Sequence, residues 1–118
     1  MTLITQGYQT GEYLLSESNG THSRDTGTVT SAGVALPSGT VLGKVTATGK
    51  YIKQVDAASD GSQTAVAVLF TPVAAAAGDY FSTLHVRGCE VINTALNGGA
   101  GASAAAIASL KLVGILVR

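Results

Sequence analysis

Apolar residues along this chain fall into runs of three to six, interrupted by glycine or polar residues, a rhythm that predicts short strands rather than long helices. The clearest case opens with a turn at Leu36-Pro37-Ser38-Gly39. A strand over Thr40–Val45 follows, then a turn at Ala47-Thr48-Gly49 and a partner strand over Lys50–Gln54. Ala65–Phe70 is almost uniformly apolar, which predicts a strand buried on both faces, ended by Pro72 because proline lacks a backbone donor. From Tyr80 to Arg87 the residues alternate. Phe81, Thr83, His85 and Arg87 share one face, and Ser82, Leu84 and Val86 the other. Arg87–Val91 continues as strand with a bend at Gly88. Upstream, residues 16–32 are polar and turn-forming, with a positive-φ turn signal at Asn19-Gly20 and an edge strand through Thr26, Thr28 and Thr30.

A single helical signal stands near the end. Ser103 can cap a short helix over Ala104–Lys111, with Ile107 and Leu110 on one face and Lys111 near the carboxyl end. Leu112–Arg118 then has strand composition and is expected in a sheet or an interface. Val66, Val68, Ile107, Leu110, Ile115 and Val117 are the expected core or subunit-interface residues. At the other end, residues 1–15 show no sustained period, yet Leu3, Ile4, Tyr8 and Tyr13 are spaced apolar anchors. Gly7 and Gly11 interrupt any autonomous helix. This stretch reads as a flexible N-terminal arm that buries its anchors against a partner and pays its ordering entropy only there. The fold class expected is therefore β-rich α+β: an arm over 1–15 and one small domain of short antiparallel strands over 16–118.

Composition narrows the function. In 118 residues, seven Lys and Arg offset seven Asp and Glu, and charged residues make up 12%, about half the usual share. With so little self-repulsion and 46% apolar residues, part of the surface is expected to be covered by other subunits. No basic tract or stripe suits nucleic acid. No apolar run is long enough to span a membrane, and the first residues lack the pattern of a signal peptide. The lone Cys89 excludes an intrachain disulfide and is compatible with a reducing cytoplasm.

Candidate chemistry is sparse. His22 and His85 lack partners at metal-site spacing, and no cofactor fingerprint is present, so neither metal nor cofactor is expected. His85 and Cys89 could pair as base and nucleophile only if the chain folds back at Gly88. Four extended residues separate them by roughly 13 Å, against the roughly 3 Å that proton transfer needs. Asp56 and Asp60 share a loop but lack the ligand pattern of a calcium site. Gly39–Lys44 lacks phosphate-loop spacing. Glu90 and Asp79 could approach across a sheet, but nothing in the spacing sets a catalytic separation. An enzyme is not expected.

Taken together, five segments resemble the head decoration protein family of tailed bacteriophages, the family of the lambda head-stabilising protein. They are Gly11-Glu12-Tyr13-Leu14-Leu15-Ser16-Glu17-Ser18-Asn19-Gly20, Gly39–Val45, Ala57–Ala65, Val86-Arg87-Gly88-Cys89-Glu90-Val91 and Leu112–Arg118. Their order and spacing, more than any one of them, carry the resemblance. Cys89 stands where a small residue is usual.

The resemblance implies a non-enzymatic homotrimer, made in the host cytoplasm, that binds the major capsid protein on the outer surface of the assembled head. Its role would be to stabilise the head against internal DNA pressure, with Leu3, Ile4, Tyr8 and Tyr13 as candidate capsid contacts and no direct nucleic acid or membrane partner. The alternative from another class is a trimeric receptor- or carbohydrate-binding module of a tail or fibre. With four tyrosines, two phenylalanines and no tryptophan, sugar-stacking platforms are scarce.

Overall fold

Eight strands and one α-helix build two layers in the computed structural model, which describes Gly11, residues 13–18 and residues 23–118. The strands are β1 (Leu14–Glu17), β2 (Arg24–Ser31), β3 (Val41–Lys44), β4 (Tyr51–Lys53), β5 (Ala65–Leu69), β6 (Gly78–His85), β7 (Cys89–Val91) and β8 (Ile115–Val117). A kinked 3₁₀ stretch over Asn93–Gly99 precedes helix α1 (Ala104–Leu112). Strands β2, β4, β3, β5 and β6 close into a barrel in that order, and β1, β7 and β8 form a separate three-stranded sheet. The β-rich α+β reading is correct.

The hairpin of β3 and β4 pairs Leu42 with Lys53 and Lys44 with Tyr51, around the turn expected at residues 47–49. Strand β5 lies between β3 and β6 and sends side chains into two cores. Ala67 and Leu69 fill the barrel with Val29, Leu36, Leu42, Val73 and Leu84, whereas Val68 faces the outer layer. Its apolar run is thus explained by cover on both faces.

Two features depart from the sequence reading. Strand β2 is no edge: it pairs with β6 over eight residues, Arg24 with His85 through Ser31 with Gly78, and closes the barrel against β4 at Val29–Tyr51. That closure is parallel, as is the pairing of β7 with β8, so the strands are not all antiparallel. Closure removes the unpaired backbone edges that an open five-stranded sheet would leave.

The second core lies between the barrel wall and the outer layer. Tyr13, Val41, Val68, Val91, Leu96, Leu110 and Ile115 meet there. Ser103 caps α1 as expected, its Oγ accepting from the Ala106 amide at 3.1 Å. The helix buries Ala106 and Leu110, four apart, while Ile107 is only half-buried. Gly114, at φ +89°, then turns the chain back into β8. Asn97, at φ 53°, locks the 3₁₀ stretch onto the barrel: its Oδ1 accepts from the Val41 amide at 2.9 Å and its Nδ2 donates to the Gly101 carbonyl at 3.0 Å. Because Ile115 is fully buried in this layer, Ile115→Ala is expected to cost about 2–5 kcal/mol and lower the urea midpoint accordingly. An unchanged midpoint would show that β8 is not packed in this way.

Candidate interaction surface

Tyr13 was expected among the partner contacts; the structure places it instead inside the protein. Its side chain is 1% exposed and packs in the outer core, and its carbonyl accepts from the Ile92 amide at 2.7 Å. The phenol bonds to Nδ1 of His85. Leu14 follows as the first residue of β1, paired with Val91, so the sheet begins within the stretch read as arm. The physical reason is local: an aromatic next to two leucines finds an uncovered patch on β7 and the outer face of β6, and covers it. Leu3, Ile4 and Tyr8 lie outside the described residues, as do His22 and the Asn19-Gly20 turn.

His85 is fully buried on the outer face of β6 and joins the two layers. Its Nε2 lies 2.8 Å from Glu17 Oε2, and the same carboxylate accepts from Ser23 Oγ at 2.6 Å and pairs with Arg24 at 2.8 Å. Both imidazole nitrogens are satisfied by a neutral ring that accepts from the Tyr13 hydroxyl and donates to Glu17. Phe70 meets the ring edge-on at 5.4 Å and carries the Arg24 guanidinium over its face at 4.5 Å. Every member of this network has a structural partner. Reading the sequence for function singled out His85 but gave no role to Glu17, quoted only within a family segment, or to Ser23, because neither stands in a pattern of residues that carries chemistry.

The charges of this network predict a pH dependence. The Arg24 guanidinium, helped by Ser23 and His85, holds the Glu17 carboxyl down at about 2, against 4.5 ordinarily. Burial holds the His85 imidazole below 6.5, with Glu17 opposing the shift. Both groups bind fewer protons folded than unfolded, so each stabilises the fold above its ordinary value and loses that contribution as pH falls. The urea midpoint should therefore decline from about pH 6.5 downward, with the Glu17 contribution lost between 4.5 and about 2. Glu17→Gln should flatten the lower part of that decline. An identical profile for the two proteins would remove Glu17 from the account.

Cys89 is buried, and its thiol is pushed up to about 11, chiefly by burial, so little reactive thiolate forms at neutral pH. His85 directs its nitrogens to Tyr13 and Glu17 rather than to Cys89. Among the described residues no three His, Cys, Asp or Glu side chains are placed to hold a metal ion.

What remains is surface. Leu15, Val34, Val55, Phe81 and Leu112 are exposed large apolar residues, Phe81 at 77% and Leu112 at 87%. A shallow apolar groove of about 390 Å³ runs beside Val34, Leu36, Pro37 and Ile52, with Lys53 and Asn97 among its lining residues. At its Pro37 end the chain toward the N-terminus leaves the described domain: the Gly11 amide donates to Ser38 Oγ at 3.0 Å. Scattered exposed apolar residues are ordinary. A groove at the root of an apolar terminal segment is a more specific arrangement.

The model of one protein family, described as bacteriophage lambda head decoration protein D, matches residues 3–115. No curated protein matches the chain. The matched stretch takes in the barrel, the outer sheet up to the first residue of β8, and α1. On that near-complete match, this chain belongs to the bacteriophage lambda head decoration protein D family.

Proposed function

We propose that this protein is a non-enzymatic homotrimer that binds the major capsid protein on the outer surface of the assembled phage head and stabilises it against the pressure of packaged DNA. The observation that carries this reading is the family match over residues 3–115, which supports a capsid decoration role in a family of structural proteins rather than enzymes. Low charge with 46% apolar residues supports self-association. A ligand that binds the closed shell and not its dissociated subunits stabilises the shell by linkage, and several attachments per trimer raise the effective concentration after the first engages.

Residues 1–10, with Leu3, Ile4 and Tyr8, are the proposed capsid contact. They would add backbone hydrogen bonds to a capsid strand while alternate side chains enter pockets. Light scattering should return three times the 11.8 kDa chain mass; a persistent monomer would remove the trimer. Titration of expanded capsids, read by sedimentation, should show high occupancy by the intact protein and a sharp loss on deleting residues 1–10. Equal occupancy would move the contact onto the folded domain.

A further inference from the structure

We infer that copies of this chain join through the uncovered outer wall of the barrel, the exposed ring of Phe81 on one copy entering the apolar groove of Val34, Leu36, Pro37 and Ile52 on the next. This rests on the homotrimer reading above and names its interface.

Three observations point to a second copy as the occupant. The first is position. Alternation puts Phe81 and Asp79 of β6 on the outward side with Thr28 and Thr30 of β2, Phe81 opposite Thr28 and Asp79 opposite Thr30. Thr30 also lines the groove, so the protruding ring stands two positions along β6 from the pair that borders the hollow. At the His85 end this wall is already covered by Tyr13 and Phe70. Phe81 marks where that cover stops.

The second is fit. The groove has a volume of about 390 Å³. A hollow of about 150 Å³ suffices to hold benzene, so a phenyl ring enters with room to spare.

The third is charge. Asp79 accepts from Thr30 Oγ1 at 2.7 Å and pairs with Lys50 at 2.6 Å within the same chain. The wall thus neutralises its own charges and leaves little for a charged partner to match. Lys53, the one charged residue of the groove lining, is exposed and keeps its ammonium in water at the rim. A neutral wall that bears both a knob and a hole to receive it is complementary to itself. Because both lie on one wall, each knob-into-groove junction turns the next copy through a large angle. A small closed ring needs that rotation, whereas sites on opposite sides would propagate an open chain.

Sedimentation and light scattering of the full-length protein test the interface. The intact protein should return three times the 11.8 kDa chain mass. Phe81→Asp and Val34→Asp should each weaken association by about thirtyfold or more, the scale of a hot-spot residue, while Phe81→Leu remains trimeric. Phe81 is 77% and Val34 69% exposed, so the variants should keep the amide NMR dispersion of the folded barrel. Phe81→Ser repeats the test without adding a charge. A monomeric intact protein would overturn the trimer reading and this interface with it. A trimeric intact protein with equally trimeric variants would overturn the interface alone, and a loss of capsid occupancy in those variants would assign the wall to the capsid. Weakened association in Phe81→Asp but not in Val34→Asp would overturn the groove as the receiving site.

Discussion

Gly43→Ala is expected to be among the most destabilising single substitutions in this protein, at or beyond the top of the about 1–3 kcal/mol range of overpacked cores. Gly43 lies in β3, opposite Ile52 on one side and Ala65 on the other. A β-carbon there would stand 2.0 Å from the Ser62 carbonyl oxygen and 2.6 Å from the Ser62 carbonyl carbon and Cα. These are backbone atoms, so no rotamer change relieves the clash; the 60–64 turn must leave the barrel. That turn is held in several places. Asp60 Oδ1 accepts from the Ser62 amide at 3.1 Å, the Thr46 amide donates to the Asp60 carbonyl at 3.0 Å, and Gln54 Nε2 donates to the Gln63 carbonyl at 2.8 Å.

Gly33→Ala is the matched control. It has a positive φ of 96° but nothing within 4 Å of the new methyl, so it should cost only the backbone strain of about 1–2 kcal/mol. Urea midpoints of the two variants would decide the matter. A Gly43→Ala protein as stable as Gly33→Ala would mean that the turn does not close onto β3.

The second large effect separates two truncations that differ by five residues. Removing residues 1–10 should leave the urea midpoint close to that of the intact protein, since β1 and Tyr13 remain. Removing residues 1–15 deletes Tyr13 and the first half of β1. Emptying a buried aromatic site alone costs about 3–5 kcal/mol. His85 Nδ1 then loses its partner, and a buried polar group left unpaired adds about 1–3 kcal/mol. Against a total stability of about 5–15 kcal/mol for a domain of this kind, much of the population should unfold. Equal midpoints for the two truncations would return Tyr13 to the terminal arm and contradict its place in the core.

The contrast also shows why the boundary of the arm was misplaced from sequence. Tyr13-Leu14-Leu15 has the same composition whether it anchors to a partner or to its own domain. Composition says that such residues seek cover, and nothing in it says whose. Only the vacant patch formed by β7, Phe70 and the outer face of β6 decides that Tyr13 turns inward.

Much else was legible in the chain because it is local. Turn residues between apolar runs set the β3–β4 hairpin, Ser103 set the start of α1, and Pro72 set the end of β5. The ordered motifs pointed to the family that the match over residues 3–115 establishes. The faces of β6 were legible too, since alternation places Phe81 and His85 on the same side. What alternation cannot supply is which part of that side is covered. His85 is sealed by Tyr13, Phe70 and Glu17, while Phe81, four residues earlier on the same strand, is left 77% exposed. Strands β2 to β8, the helix and the residues that share a face were readable in the chain alone, because those depend on neighbours a few positions apart, whereas β1 was not. The tertiary structure alone decided barrel closure, the inward turn of Tyr13 and the exposure of Phe81, because each depends on which distant segment, up to 72 positions away in the case of Tyr13 and His85, comes to lie against that face.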